Sequence, residues 1–418
     1  MAVDNDEDVD ENIMLALLNL LTLLAALLVI IPSPRQDALF EQRLAWNQYC
    51  SRHDEHGTLV RRLRMTKESF EKLVLLIQDD LQVHEKYADL RGGAIIPELC
   101  LFCTLRYLAG GSYLDITDID GISRSSFYRV IWKTISALVK CNALRIRFPK
   151  TKQEITAGIA GFAGISTDGV IHNCVGVVDG YLLRIRVPAK DEVKNVRSFF
   201  SGHYQCYGIN IQAAADHHSR FIHFSFAAPG VTGDRDAIKQ CSLYDLNENL
   251  PLGVCCIGDA AYEPTEHMVP IYQGADKLTP KYDNFNFFAS QCRIRVKMAF
   301  GMMQAKWGIL QRPVSCTINN MIWLSQATAR LHNYCINERL ELKETAALNG
   351  ELTSIIQDSV SNYIPSVPHD KDGDPVRLNL AFEGINDSYS HLQEWVAARV
   401  QMKQLQRPKS SKKRKREA

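Results

Sequence analysis

The first part of the chain has apolar residues at helical spacing. From Thr66 onward, apolar positions through Leu73 and Ile77 recur at intervals of three or four, and Thr66 or Ser69 can cap this helix. Pro97 begins a second predicted helix over 98–107, which ends before two glycines. The pattern therefore predicts an all-helical region before residue 160.

A compact pair of helices follows within this region. A short helix over 113–119 leads to Gly121, where a turn is expected, and Ser123 is placed to cap a second helix over 124–138. This spacing is typical of a helix-turn-helix, although ordinary packing of two short helices is the other interpretation. The polar residues that the second helix would offer to a DNA groove are Arg124, Ser125, Arg129 and Lys133.

From residue 171 the apolar positions alternate with a period of two. The predicted strands cover 174–187, 204–215, 220–228 and 254–257. Helical spacing returns at 293–303, at 319–342 and at 380–405. The pattern thus predicts the α/β class, with a mixed-sheet domain preceded by the helical region.

The chain of 418 residues is long enough for more than one domain. Its net charge of +1 conceals two opposite termini, since residues 1–11 carry six acids and no base while residues 403–418 carry eight bases and one acid. The twelve cysteines are scattered and many lie in apolar runs, which favours reduced thiols over disulfides. The segments we expect are an acidic tip with an apolar helix (1–37), a helical DNA-binding-like region (38–160), a mixed-sheet domain (165–343), a linker with a C-terminal helix (344–402) and a basic tail (403–418).

Both ends of the chain allow two interpretations. The apolar run over 13–31 is near the minimum length for a bilayer span, so it is either a buried or partner-binding leucine helix or a single membrane anchor. The five-residue basic block 412–416 indicates a nuclear localisation signal or a phosphate-binding arm, and a merely solvating tail is the alternative. The nucleus is the expected location, with a membrane-anchored form as its alternative.

Three aspartates could take part in chemistry. Asp179 lies inside an apolar strand, and Asp259 follows a short apolar one, so each needs a partner if it is buried. Together they could bind Mg²⁺ or Mn²⁺, although both also suit a role in backbone turns. Asp234 in the loop after the third strand is either an N-cap or a further metal ligand.

Five ordered motifs resemble one family, the PIF/Harbinger DDE transposases and their host-domesticated nuclease relatives. The motifs lie at 178–180, 200–212, 228–230, 258–262 and 293–301, and the segments 106–111 and 121–126 are similar to the family's upstream helical region. The resemblance covers about 65–340. It implies an RNase H-like catalytic domain that cleaves or transfers DNA strands with a divalent metal cation, and it raises the question of a separate DNA-binding partner protein.

In that family two aspartates and a glutamate hold the metal. The resemblance places the aspartates at Asp179 and Asp259, but the glutamate position is Lys297, and the family's following lysine is Gln304, although Arg293 is retained. A lysine ammonium cannot ligate a cation and would instead neutralise the aspartates. We therefore expect a DNA-binding nuclease or transposase fold with impaired cleavage, the alternative being a non-enzymatic DNA-binding or scaffold protein.

Overall fold

A computed structural model of the chain describes residues 14–23, 43–82, 94–349 and 390–408. Two compact units are present, Met1–Arg43 and Leu44–Ala418. In the first unit, residues 14–23 form helix α1, whose leucines are exposed to solvent. Among the described residues no helix is long and apolar enough to cross a membrane. The acidic residues 1–11, most of the apolar run after residue 23 and the basic block 412–416 lie outside the described residues.

The second unit begins with six helices, which confirms the helical pattern before residue 150. They are α2 (Trp46–Glu55), α3 (Leu59–Leu63), α4 (Lys67–Leu81), α5 (Pro97–Leu108), α6 (Tyr113–Asp120) and α7 (Arg124–Lys140). The Thr66 hydroxyl caps α4 by accepting the Ser69 N–H, as the sequence predicts. The buried faces of α4, α5 and α7 form one apolar core with the remainder of the unit.

A six-stranded mixed sheet forms the centre of the unit. Its strands are β1 (Cys174–Arg184), β2 (Phe200–Ser201), β3 (Cys206–Ala215), β4 (Phe221–Pro229), β5 (Cys255–Gly258) and β6 (Met268–Pro270). β3 pairs antiparallel with both β1 and β4, whereas β5 is parallel to β1 and to β6. The mixed α/β class and the four predicted strands are thus confirmed. The short strand β6 was not predicted from the sequence pattern.

Helices cover both faces of this sheet. One buried cluster joins Val178 and Ala214 to α8 (Lys152–Ile165), α9 (Asp234–Ile238) and α10 (Ser242–Glu248). The other joins Val177 and Ala213 to α11 (Pro280–Lys306) and α12 (Ile318–Asn349). Since neighbouring strand residues point to opposite faces, these clusters are the two sides of one layered domain. Helix α8 was not predicted, and α11 begins thirteen residues before the predicted helix.

A close backbone contact joins the helical region to the sheet domain. A Cβ atom on Gly308 would lie 2.7 Å from the Ala109 carbonyl oxygen, and one on Gly110 would lie 3.4 Å from the Gly308 carbonyl carbon. Gly110 also has a φ of +95°, which favours glycine. The paired glycines after α5 are therefore explained by a turn that packs against the segment following α11.

The last described helix, α13 (Ser390–Met402), packs along α11. Its Glu394 carboxylate accepts hydrogen bonds from the Tyr282 hydroxyl (2.7 Å) and the Tyr272 hydroxyl (3.1 Å), and it pairs with the Lys281 ammonium at 2.5 Å. The predicted C-terminal helix is thus confirmed where the structure describes it. All twelve cysteines are free thiols, as expected from their scattered positions.

Candidate active site

The sheet brings Asp179 and Asp259 to the same place. β1 and β5 run parallel with Val177 opposite Ile257, and each aspartate follows its paired residue by two positions. Asp179, in the middle of the long strand β1, therefore lies level with Asp259, which directly follows the end of β5. The charge of Asp259 is close enough to raise the pKa of Asp179. The expected convergence of these two acids is present in the fold.

Burial determines the protonation of Asp179. Desolvation raises the pKa of this carboxyl to about 6 from 3.8, and Lys297 is the largest opposing influence, followed by Arg293. The carboxylates of Asp259 and Asp234 make smaller contributions that also raise the pKa, and the value of about 6 is the net result of all these influences. Ionising this aspartate at neutral pH therefore costs free energy, and the two basic side chains partly offset that cost.

Helix α11 supplies both basic groups. Arg293 and Lys297 are four residues apart, so they lie on one face of this helix. The Arg293 guanidinium is largely buried, with 11% of its side chain exposed, and lies 3.2 Å from the Asp259 carboxylate. The same Asp259 oxygen accepts the Ala260 N–H at 2.7 Å. Lys297 is exposed, and its charge lowers the pKa of Asp179.

Asp234 lies next to β1, in a network of amide side chains. Its Oδ1 accepts hydrogen bonds from Asn210 Nδ2 and Gln212 Nε2, each at 2.9 Å, and the Gln212 carbonyl oxygen accepts the Tyr262 hydroxyl at 2.7 Å. The space beside Gly180 is filled by the Asp234 carboxylate, which a Cβ there would overlap. The expected N-cap role is wrong, because Gly233 is the N-cap and Asp234 is the first helical residue.

Sequence reasoning missed the amides of this network. Asn210 and Gln212 are buried polar residues at alternate positions of β3, so both point to the same side of the sheet. Polar side chains at alternate positions of an otherwise apolar strand were the available signal, since buried polar atoms need partners. These amides hold the Asp234 carboxylate beside β1, close enough to Asp179 for its charge to raise the pKa of that aspartate.

Other acids near the end of β5 are engaged or exposed. The Glu263 carboxylate pairs with the Lys239 ammonium at 2.6 Å and with Arg235, and Glu266 is exposed. Gln304 donates a hydrogen bond from Nε2 to the Tyr181 hydroxyl at 2.6 Å. Glu263 and Glu266 could have supplied the third carboxylate that Lys297 does not. Glu263 is instead paired with two basic side chains, and Glu266 is exposed to solvent.

The predicted DNA-contacting residues lie on helix α7. Gly121 ends α6 with a φ of +61°, and the Ser123 hydroxyl caps α7 by accepting the Ser126 N–H. Arg124, Ser125 and Arg129 are exposed. The Lys133 ammonium instead donates to the Gln82 carbonyl at 2.7 Å, which ties α7 to the end of α4. All four residues are thus exposed, and Lys133 also has a structural contact.

Part of the chain matches a known protein family. Residues 178–333 match the family model of the DDE superfamily endonucleases, so this segment is similar to that domain family. No curated protein and no solved structure matches the chain. The matched segment begins beside Asp179 and includes β3–β6, α11 and the first half of α12. Most of the mixed-sheet domain is therefore similar to the DDE superfamily endonucleases.

Domains of this family generally use divalent metals. Here Asp259 is paired with Arg293, Lys297 is at the mouth of the site, and within the described ranges no group of three or more His, Cys, Asp or Glu residues is arranged to hold a metal ion. A pair of divalent ions needs several oxygen ligands and their negative charge. The residues present do not fit such a centre.

The raised pKa of Asp179 predicts a pH-dependent stability effect. Between about pH 4 and pH 6 the Asp179 carboxyl is more protonated in the folded state than in the unfolded state. Ionised Asp179 therefore lowers the free energy of unfolding by its full amount above about pH 6, and this loss of stability disappears toward about pH 4. Asp179→Asn should therefore raise the free energy of unfolding by on the order of 2 kcal/mol near pH 8 and by almost nothing near pH 4.

Urea denaturation of the full chain at both pH values measures this effect. Asp191→Asn, at an exposed position, is the matched control and should change the stability by less than about 0.5 kcal/mol at either pH. An equal effect of Asp179→Asn at both pH values would contradict the assignment.

Proposed function

We propose that this chain is a transposase-derived protein of the PIF/Harbinger type, with an RNase H-like DDE domain that binds DNA and is impaired in cleaving it. The observation that carries the proposal is the basic pair on α11. Arg293 lies on Asp259, and Lys297 acts on Asp179 from the position that corresponds to the family's metal-binding glutamate. Two acids that would otherwise attract a cation already have cationic neighbours.

Charge supports this interpretation. The cluster of Asp179, Asp234, Asp259, Arg293 and Lys297 has three acids and two bases, hence a formal charge of −1. A glutamate in place of Lys297 would make the same cluster −3, because an acid would replace a base. The difference of two charges falls where divalent ions would have to bind, so the attraction for them is reduced.

The DNA-binding part of the proposal concerns the helical region. Exposed Arg124, Ser125 and Arg129 on α7 follow a glycine turn and a serine cap, an arrangement that suits a helix-turn-helix-like contact with a DNA groove. The basic block 412–416 would add phosphate attraction or a nuclear address. A nuclear location and a separate DNA-binding partner protein are part of this proposal.

A non-enzymatic scaffold is the second candidate. It is favoured by the pairing of Asp259 with Arg293, because a carboxylate with a cationic partner attracts a divalent cation less strongly. Under this candidate the fold would present DNA-binding or partner-binding surfaces without any cleavage. The two candidates differ in residual metal-dependent activity.

Nicking and binding of DNA by the full-length protein test the proposal. In Mg²⁺ or Mn²⁺, the wild type should nick supercoiled plasmid at a rate close to that of Asp179→Asn, while both retain DNA with a dissociation constant of about 10⁻⁶ M or below at low salt. Slow nicking by the wild type that Asp179→Asn abolishes would support impaired cleavage over the non-enzymatic scaffold. Rapid nicking by the wild type, lost in Asp179→Asn, would overturn the impairment, and absence of any DNA binding would overturn the proposal.

A further inference from the structure

A basic cavity lies apart from the aspartate cluster. It has a volume of about 550 Å³ and is bordered by the segment 145–154, strand β4 and helix α12. A volume of this size is within the usual range for ligand pockets. Its charged lining residues are Arg145, Arg147, Lys150, Glu154 and Arg330. The first three of these are exposed, so the cavity opens to solvent.

The one acid in the cavity lining is already engaged. Glu154 Oε2 accepts the backbone N–H groups of Lys150 and Thr151, each at 2.9 Å, as part of the capping box of α8. Within the part of the chain that the structure describes, no carboxylate forms an ion pair with Arg145, Arg147, Lys150 or Arg330. Four cationic side chains thus line the cavity against a single carboxylate, Glu154, whose pKa is lowered mainly by its backbone hydrogen bonds and also by the charge of Arg147.

Two deeper groups strengthen this pattern. Arg330 is half-buried, and its pKa is lowered by desolvation and then by Arg145, because the two like charges repel each other. Its Nη1 donates to the Cys141 carbonyl at 3.3 Å. On β4, the buried Nε2 of His223 has no hydrogen-bond partner among the residues that the structure describes. An anion in the cavity would relieve the repulsion between the arginines and could accept a hydrogen bond from His223.

The position of the cavity relates it to the candidate active site. Phe224, in its lining, pairs with Ala213, which pairs with Asp179 on the next strand. Neighbouring strands are about 4.8 Å apart, so the backbones of Phe224 and Asp179 are separated by about 10 Å. That distance is about three base-pair rises of a duplex at 3.4 Å each. The segment 145–154, which lines the cavity, also follows shortly after the end of α7 in the chain.

We infer that this cavity binds a phosphate group, and that its source is the DNA backbone passing the aspartate cluster. Arginine and lysine around a solvent-open space suit a phosphate oxyanion, since guanidinium groups donate paired hydrogen bonds to it. The DNA assignment rests on the proposed function, whereas the phosphate chemistry rests on the cavity alone. A free phosphorylated small molecule is the other source with the same chemistry.

Fluorescence anisotropy of a DNA duplex, titrated with the full chain between about 50 and 200 mM salt, tests the inference. Arg145→Gln/Arg147→Gln removes two exposed cavity charges, and Arg61→Gln/Arg339→Gln is the matched control at exposed positions outside the cavity. The cavity variant should bind DNA about tenfold more weakly, with a salt slope smaller by about 2, and the control should equal the wild type. Thermal melting of each variant checks that the fold is kept.

A second measurement separates the sources of phosphate and the two proposals. Inorganic pyrophosphate should raise the melting temperature of the wild type and of the control but not of the cavity variant. Equal DNA affinity and salt slope in all three proteins would overturn the DNA assignment while leaving DNA binding itself intact. If none of them binds DNA, the proposed function fails as well, and selective pyrophosphate stabilisation would then assign the cavity to a small phosphorylated ligand. No response to pyrophosphate or DNA would overturn the phosphate site.

Discussion

Lys297→Glu is expected to raise Mn²⁺-dependent nicking of supercoiled plasmid by about tenfold or more over the wild type. A tenfold increase corresponds to an activation barrier that is lower by about 1.4 kcal/mol. The substitution changes an exposed residue of α11, so the fold should be unaffected. It adds a third carboxylate beside Asp179 and removes the charge that most strongly opposes the rise in the pKa of that aspartate. Calorimetric titration should show Mn²⁺ binding that the wild type lacks.

Two further variants identify the cause of such a gain. Lys297→Gln removes the positive charge without adding a ligand, and it should recover at most a small part of the activity. Lys297→Glu/Asp179→Asn should lose the gain, because the added carboxylate then lacks its main partner. If Lys297→Glu stays as inactive as the wild type while remaining folded, the lysine is not what impairs cleavage. If Lys297→Gln is equally active, charge rather than ligand number is responsible.

Gly308→Ala is expected to lower the free energy of unfolding by about 2–3 kcal/mol, as overpacking of a close contact does. The added methyl group would lie 2.7 Å from the Ala109 carbonyl oxygen, and a backbone atom cannot move aside as the end of a long side chain can. The contact joins the turn after α5 to the segment after α11, so its disruption separates the helical region from the sheet domain. Urea denaturation of the full chain measures the loss.

Gly301→Ala is the matched control for this substitution. Gly301 lies within α11, and no atom of the described part of the chain, apart from the helix's own backbone and the two adjacent residues, lies within 4 Å of the position that its Cβ would occupy. Alanine favours a helix by up to about 1 kcal/mol over glycine, so this variant should be as stable as the wild type or more stable. Equal losses for the two variants would mean that the Ala109–Gly308 contact is not tight.

The elements of the fold could largely be predicted because their signals are local. The cap at Thr66, the glycine turn at Gly121 and the alternation along 174–187 each depend on neighbouring residues. Helix α8 was missed although Thr151 and Glu154 form a capping box at its start. Strand β6 is only three residues long, and its place beside β5 depends on a partner elsewhere in the chain.

The aspartates of the candidate site could be identified from their strand contexts and from a family resemblance. Their surroundings could not, because the contacts are long-range. Arg293 reaches Asp259 across the sheet, Asp234 takes its hydrogen bonds from two amides of β3, and Glu263 is drawn away by Arg235 and Lys239. Each contact depends on side-chain positions that chain spacing does not determine.

The sequence by itself determined the class of elements, one acid inside a strand and another just after a strand, and the lysine in the place of an expected ligand, because these are properties of residue type and local order. Only the tertiary structure decided which groups share a site. The parallel pairing of β1 with β5 brings Asp179 to Asp259, and the position of α11 brings Arg293 and Lys297 to them. Burial then raises the pKa of Asp179, since desolvation depends on everything packed around a group. The basic cavity arises in the same way, from segments that are far apart in the chain and adjacent only in the folded protein.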